Sequence, residues 1–150
     1  MTRKRRIFIS VFALTTLAIT VTILLYSSRT GSESVRDSDR IIPLLSSLGV
    51  NASRYTLSYI VRKSAHFLEY FALCASASGF TLCITKNKKA LIIPPLYCLA
   101  VALCDEFLVQ AATIGRSPEL KDVFIDLFGA LTAVSIIALA VYRTSKRSKK

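Results

Sequence analysis

Four long apolar runs alternate with short polar connections along the 150 residues. Ile7 to Tyr26 carries no charge; Ser64 to Thr85 is broken only by His66 and Glu69. Ala90 to Ile114 is broken only by Asp105 and Glu106, and Asp122 to Tyr142 only by its first residue and Asp126. A helix rising about 1.5 Å per residue needs roughly 20 apolar residues to cross about 30 Å of hydrocarbon, so each run is long enough to span a bilayer. The pattern predicts an all-α membrane protein: one domain over residues 1–150, with four transmembrane helices at about 7–26, 64–85, 90–114 and 122–142.

The connections differ in character. Residues 27–63 form the longest. Its first part, SSRTGSESVRDSDR, is rich in Ser, Gly and charge and predicts a loop. IIPLLSSLGV is too short to span but has the spacing of a short amphipathic piece lying in the interface as a cap over the bundle. From Ser53 onward Tyr55, Tyr59, Arg62, His66, Glu69 and Leu73 recur at three or four residues, which stacks them on one face of a helix that begins before the hydrocarbon. Pro94-Pro95 predicts a kink early in the third span, and Gly115-Arg-Ser-Pro118 a turn. Gly129, Ala130 and Ala133 are small enough to let a neighbouring helix come close.

Composition agrees with a membrane protein: 53% of residues are hydrophobic and mean hydropathy is +0.51. The net charge of +11 would suit a nucleic-acid partner, but its placement argues against one. Arg3 to Arg6, then Lys86, Lys88 and Lys89, then the basic tail 143–150 with Arg143, Lys146, Arg147, Lys149 and Lys150 hold twelve of the twenty bases and no acid. By the positive-inside rule these three segments are cytoplasmic, which puts both termini inside and 27–63 outside. The basic ends then meet anionic lipid headgroups. Met1 to Arg6 followed by an apolar run also has the form of a secretory signal, but the run exceeds an ordinary h-region and no small-x-small site follows it, so a retained helix is predicted. Cys74, Cys83, Cys98 and Cys104 all fall in spans without metal or disulfide spacing and are predicted to be small apolar residues. Asn51-Ala-Ser53 fits a glycosylation sequon by chance.

The polar interruptions carry the candidate chemistry. Counted at about 1.5 Å per residue, His66 and Glu69 lie about 3–8 Å below the outer boundary, Gln110 and Asp126 about 6 Å, and Asp105 and Glu106 about 12–14 Å. Carboxylates facing lipid would cost about 2.5–3.5 kcal/mol each, so these face inward and outline an outward-open polar pocket with Arg62, Lys63, Arg116 and Lys121 at its mouth. Four readings compete: a structural network of interhelical bonds; a site for a polar headgroup or cell-envelope molecule; a metal held by His66, Glu69, Asp105 and Glu106; and a proton path. The path is weakened because nothing polar continues into the inner half. One histidine with hard carboxylates is an unspecific ligand set, and neither a metal nor a cofactor is predicted. The headgroup site leads, because intramembrane ionisable clusters are functional by default. Were there catalysis, His66 and Glu69 would be the acid/base pair; no Ser or Cys stands at a nucleophile spacing.

RKSAHFLEYFAL resembles the R-K-x-x-H-F-x-E-Y motif of the VanZ-like membrane proteins, and DEFLVQAATIGRSPELKDVFIDLFGAL resembles that family's D-E-x-x-Q, G-R and D-x-x-x-N-x-x-G. YSSRTGSES is similar to its F-S-S-Q-x-G-x-x-S segment. The resemblance implies signature residues at Arg62, Lys63, His66, Glu69, Tyr70, Asp105, Glu106, Gln110, Gly115, Arg116, Asp122 and Gly129. The chain departs at Arg29, where Gln is usual, and at Asp126, where Asn is usual. The latter places a carboxylate beside Asp122, with one of the pair expected to be protonated or held by Arg116. The family takes its name from a protein linked to resistance toward teicoplanin-type glycopeptides, which act on peptidoglycan precursors outside the membrane. The resemblance therefore implies a multi-pass protein of a bacterial inner membrane. Its partners would be membrane lipid and a lipid-linked or peptidoglycan-related molecule. In the leading reading of the pocket Arg62, Lys63 and Arg116 would hold the anion, Glu69, Asp105, Glu106 and Gln110 would fix them and offer hydrogen bonds, and Asp122 and Asp126 would complete the binding site.

Overall fold

The uncharged run after Arg6 folds as one helix, α1, Arg3–Ser27, in the computed structural model, which describes residues 2–85 and 87–147. Lys86, Lys149 and Lys150, counted above among the cytoplasmic bases, lie outside the described residues. Helix α2 is Gly31–Ser47, α3 is Arg54–Thr85, α4 is Ile93–Cys104 and α5 is Leu120–Arg147. Among the described residues there is no strand. Four stretches, Arg3–Ser27, Arg54–Thr85, Lys88–Ala112 and Leu120–Lys146, are long and apolar enough to cross a membrane.

Helix α3 is central. It packs along α5 and α1 and, more briefly, on α2 and α4. The core is built from Ile23, Tyr70, Leu73, Cys74, Cys98, Val101, Ala102, Val123, Ala130 and Ala133. Small residues bring α3 and α5 together, as their spacing predicts: Ala130 and Ala133 are fully covered, and a Cβ on Gly129 would collide with the Phe67 carbonyl. The opposite faces are apolar and open; on α1 Leu14, Leu17 and Leu25 are at least 60% exposed. A soluble surface would not tolerate such a belt, whereas a bilayer supplies its solvent.

Contacts between chain termini of the helices define two ends. At one, Arg5 donates from Nε to the Cys83 carbonyl and from Nη2 to that of Ile84, both at 2.8 Å, and so supplies partners for carbonyls that the C-terminus of α3 leaves open. At the other, Thr113 Oγ1 reaches the Ser27 carbonyl at 3.5 Å and Gly31 N–H donates to the Ile114 carbonyl at 3.1 Å. The crossing there is tight: a Cβ on Gly31 would strike the Gly115 backbone, and Gly115 itself turns at φ +74°, a conformation that suits glycine.

One local expectation is corrected. The 27–40 segment is a loop only at residues 28–30; from Gly31 it forms one helix with the amphipathic piece that follows, running through Pro43 to Ser47. Thr30 and Glu33 explain this, because Thr30 N–H donates to Glu33 Oε2 at 2.9 Å while Glu33 N–H donates to Thr30 Oγ1 at 3.4 Å. This reciprocal capping box starts a helix whatever the polarity of the residues behind it. At the prolines the third span changes from a 3₁₀ turn to an α-helix. Pro94 and Pro95 sit in the first turn of α4, after a tight 3₁₀ turn at Lys88–Ile92, where a missing N–H costs nothing. The irregularity falls at the far end of that span: Asp105–Val109 widens into a π turn and Gln110–Ala112 tightens into a 3₁₀ turn.

Candidate functional site

The π turn is the local device that builds the site. In it the Gln110 N–H reaches back to the Asp105 and Glu106 carbonyls, so five residues rather than four separate Asp105 from the group stacked over it. The Gln110 side chain consequently faces both acids at once. Its Nε2 donates to Asp105 Oδ2 at 3.2 Å and also bonds Glu106 Oε1, while its Oε1 accepts from Arg116 Nη1 at 2.9 Å. One amide thus joins two buried carboxylates to a guanidinium. Arg116 is held in turn by backbone carbonyls near the end of α1, with Nε on Arg29 O at 3.0 Å and Nη2 on Tyr26 O at 3.4 Å. Glu106 Oε2 accepts the Glu119 N–H at 2.9 Å.

Helices α3 and α5 supply the rest. Lys63 is ion-paired with Asp122 and lies 3.5 Å from Glu119, its ammonium 5.1 Å from the centre of the Tyr59 ring. One turn deeper, His66 Nδ1 bonds Asp126 Oδ1 at 3.1 Å. Asp105, Glu106 and Asp126 are fully buried, and Gln110 and Asp122 nearly so. Several buried atoms have no hydrogen-bond partner: Asp105 Oδ1, Asp126 Oδ2, the Tyr70 hydroxyl and Arg62 Nε. Above this floor opens a crevice of about 440 Å³, lined among others by Arg29, Asp37, Arg62, His66, Glu69 and Arg116.

A family model described as VanZ/LLP1 matches residues 11–141, from the middle of α1 almost to the end of α5. The chain belongs to the VanZ/LLP1 family. No curated protein and no solved structure matches it. The VanZ/LLP1 match therefore covers every side chain of the site, and with the four apolar helices it makes this a multi-pass membrane protein.

Within this VanZ/LLP1 fold the ten candidate residues come together, at two depths. Arg62, Lys63, His66, Glu69, Gln110, Arg116 and Asp122 line the crevice; Asp105, Glu106 and Asp126 lie beneath it. The pairing differs from expectation at one point. Arg116 holds neither Asp122 nor Asp126: Lys63 takes the first and His66 the second, because both are on the α3 face that meets α5, whereas Arg116 reaches toward α1. Sequence reasoning missed Glu119, Arg29 and Asp37. Arg29 and Asp37 pair across the crevice wall, and Arg54 Nε meets Asp39 Oδ1 at 3.0 Å, fastening α2 over the mouth. For Asp37 and Asp39 the signal is the T-x-x-E box at Thr30, which makes α2 a helix; nothing in the local pattern singles out Glu119. In α2, outside the spans, hydrogen bonding from Arg54 holds the Asp39 carboxyl below its ordinary range, and the Thr30 N–H does the same for Glu33.

Proposed function

We propose that this protein serves the bacterial cell envelope, with the crevice open to the external side of the inner membrane and occupied by the polar, anionic headgroup of an envelope lipid. The observation that carries this is the state of the cations at the crevice, where Arg29 is paired with Asp37. Lys63 and Arg116 are already satisfied by Asp122, Glu119, Gln110 and two carbonyls. Arg62, half-buried on the crevice wall, makes no ion pair or side-chain hydrogen bond among the described residues, and its Nε is buried without a partner. A guanidinium in a water-poor wall calls for an anion, and its planar fork suits a phosphate or carboxylate in bidentate contact. Lys63 and Arg116 add their field and their remaining donors. The external orientation follows from the basic segments at the Arg5 end. A link to glycopeptide susceptibility would run through such a headgroup, because those drugs meet their targets on that side.

The test is native mass spectrometry of the purified full chain with phosphatidylglycerol against phosphatidylcholine. Wild type should retain the anionic lipid preferentially, and Arg62→Gln should lose that preference; equal retention by both proteins would end the proposal. A second reading rests on the His66–Asp126 pair: a histidine on the crevice wall, oriented by a buried carboxylate, with Glu69 beside it, has the form of an acid/base apparatus acting on a lipid-linked substrate. Glu69→Gln separates the two. Lipid retention with loss of cellular effect favours catalysis; loss of both favours binding.

A further inference from the structure

One ring nitrogen of His66, a carboxylate oxygen of Asp105 and one of Glu106 lie within 4.8 Å of one another beneath the crevice floor. From the spacing of these residues alone no metal is predicted; the fold alters that by bringing a histidine from α3 against two acids of the π turn. We propose that these three side chains form a binding site for a divalent transition ion such as Zn²⁺ or Mn²⁺. The proposal does not depend on what occupies the crevice above.

Three observations lead to a cation rather than to a purely structural cluster. The first is the state of the donor atoms. Asp105 is fully buried, yet its Oδ1 has no partner. His66 Nδ1 is hydrogen-bonded to Asp126 Oδ1; in the tautomer with the proton on Nδ1 the lone pair is on Nε2, and among the described residues no hydrogen bond engages Nε2. A histidine whose far nitrogen is held by a carboxylate is the arrangement that commonly orients a metal-binding imidazole. The oxygens of Glu106 each accept one hydrogen bond and keep a lone pair.

The second is charge. Glu69, Asp105, Glu106, Asp122 and Asp126 face the site, against Arg62, Lys63 and Arg116 as permanent cations. A divalent ion offsets that imbalance between Asp105 and Glu106, which share the neutral Gln110 amide as a side-chain donor. The third is the Tyr70 hydroxyl on α3, one turn beyond His66, buried and without a partner. A buried hydroxyl without a partner points to a group that the surrounding side chains do not supply, such as a water on the ion.

Geometry and softness set the choice of ion. Ligands about 2.1 Å from a tetrahedral ion are about 3.4 Å apart, so atoms that now lie within 4.8 Å of one another close on the ion by side-chain movements of up to about 1 Å each. Imidazole with carboxylates selects Zn²⁺ or Mn²⁺ over Mg²⁺ and Ca²⁺, which take oxygen alone. With three protein ligands, coordination stays open toward the crevice.

The experiment uses the full chain in detergent, stripped with chelator, shown to be folded by its thermal melt and titrated with Zn²⁺ and Mn²⁺ by calorimetry, with bound metal counted by elemental analysis. Wild type should bind one ion. Asp105→Asn should abolish uptake, and Asp126→Asn, which only weakens the hold on His66, should reduce affinity by roughly 10–100-fold. Mg²⁺ at the same concentrations should not compete. A folded wild-type protein that takes up neither ion overturns the proposal irrespective of any variant, and so does undiminished binding by Asp105→Asn.

Discussion

Gly129→Ala tests the packing on which the site depends. The added methyl would lie inside contact distance of the Phe67 carbonyl oxygen, 3.1 Å from Phe67 C and 3.2 Å from Phe71 N, all backbone atoms of α3. No rotamer change relieves a clash with backbone, so α3 and α5 must part by about 1 Å to restore ordinary contact. Overpacking of this kind costs about 1–3 kcal/mol. For a chain of this size that is roughly 2–12 °C in melting temperature. The same displacement acts on the neighbouring turn, where His66 Nδ1 and Asp126 Oδ1 stand at 3.1 Å, and an added ångström removes that hydrogen bond. Gly79→Ala is the internal control. Its methyl would approach the Phe12 ring at 2.6 Å, but that obstacle is the far end of a side chain which can turn aside, so the cost should stay below about 1 kcal/mol. Thermal unfolding of both variants in the same detergent decides the matter. If Gly129→Ala melts no lower than Gly79→Ala, the close approach of α3 and α5 is not what positions the site.

Gln110→Leu removes a side-chain donor shared by Asp105 and Glu106 and leaves both buried carboxylates short of a partner, a loss of about 1–3 kcal/mol that should appear as a lowered melting temperature. Thr30→Ala breaks the capping box and should weaken α2 by about 0.5–2 kcal/mol, read as faster amide exchange over residues 31–37 with the spans unchanged. Acid should loosen the same helix. The Asp39 and Glu33 carboxyls are depressed on folding, so their contribution is complete above their ordinary values of 3.8 and 4.5 and is lost as pH falls through the depressed folded values. Limited proteolysis should therefore cut the 28–53 region faster near pH 3 than at pH 7, and an unchanged rate would refute the role of these pairs.

The spans were legible because lipid imposes a single demand, apolar length, and all four runs meet it. The gathering of His66, Glu69, Asp105, Glu106 and Asp126 was legible for a related reason: an ionisable group in hydrocarbon has nowhere to go except inward. What escaped was local. Helix α2 has the composition of a loop, and its helical character rests on one reciprocal cap at Thr30 and Glu33. The π turn changes the stacking interval from four residues to five, and no periodicity in DEFLVQ announces it; the shared amide of Gln110 becomes visible only once the backbone has widened. Ion-pair partners were also beyond reach, since Arg116 is drawn to carbonyls of the α1 C-terminus, which a side-chain inventory does not contain.

The central claim is that the polar crevice opens on the external face. Reporter fusions after Lys88 and after Ser117 test it most directly: the account predicts a cytoplasmic signal from the first and an external signal from the second. The reverse pattern would turn the crevice toward the cytoplasm and contradict the account.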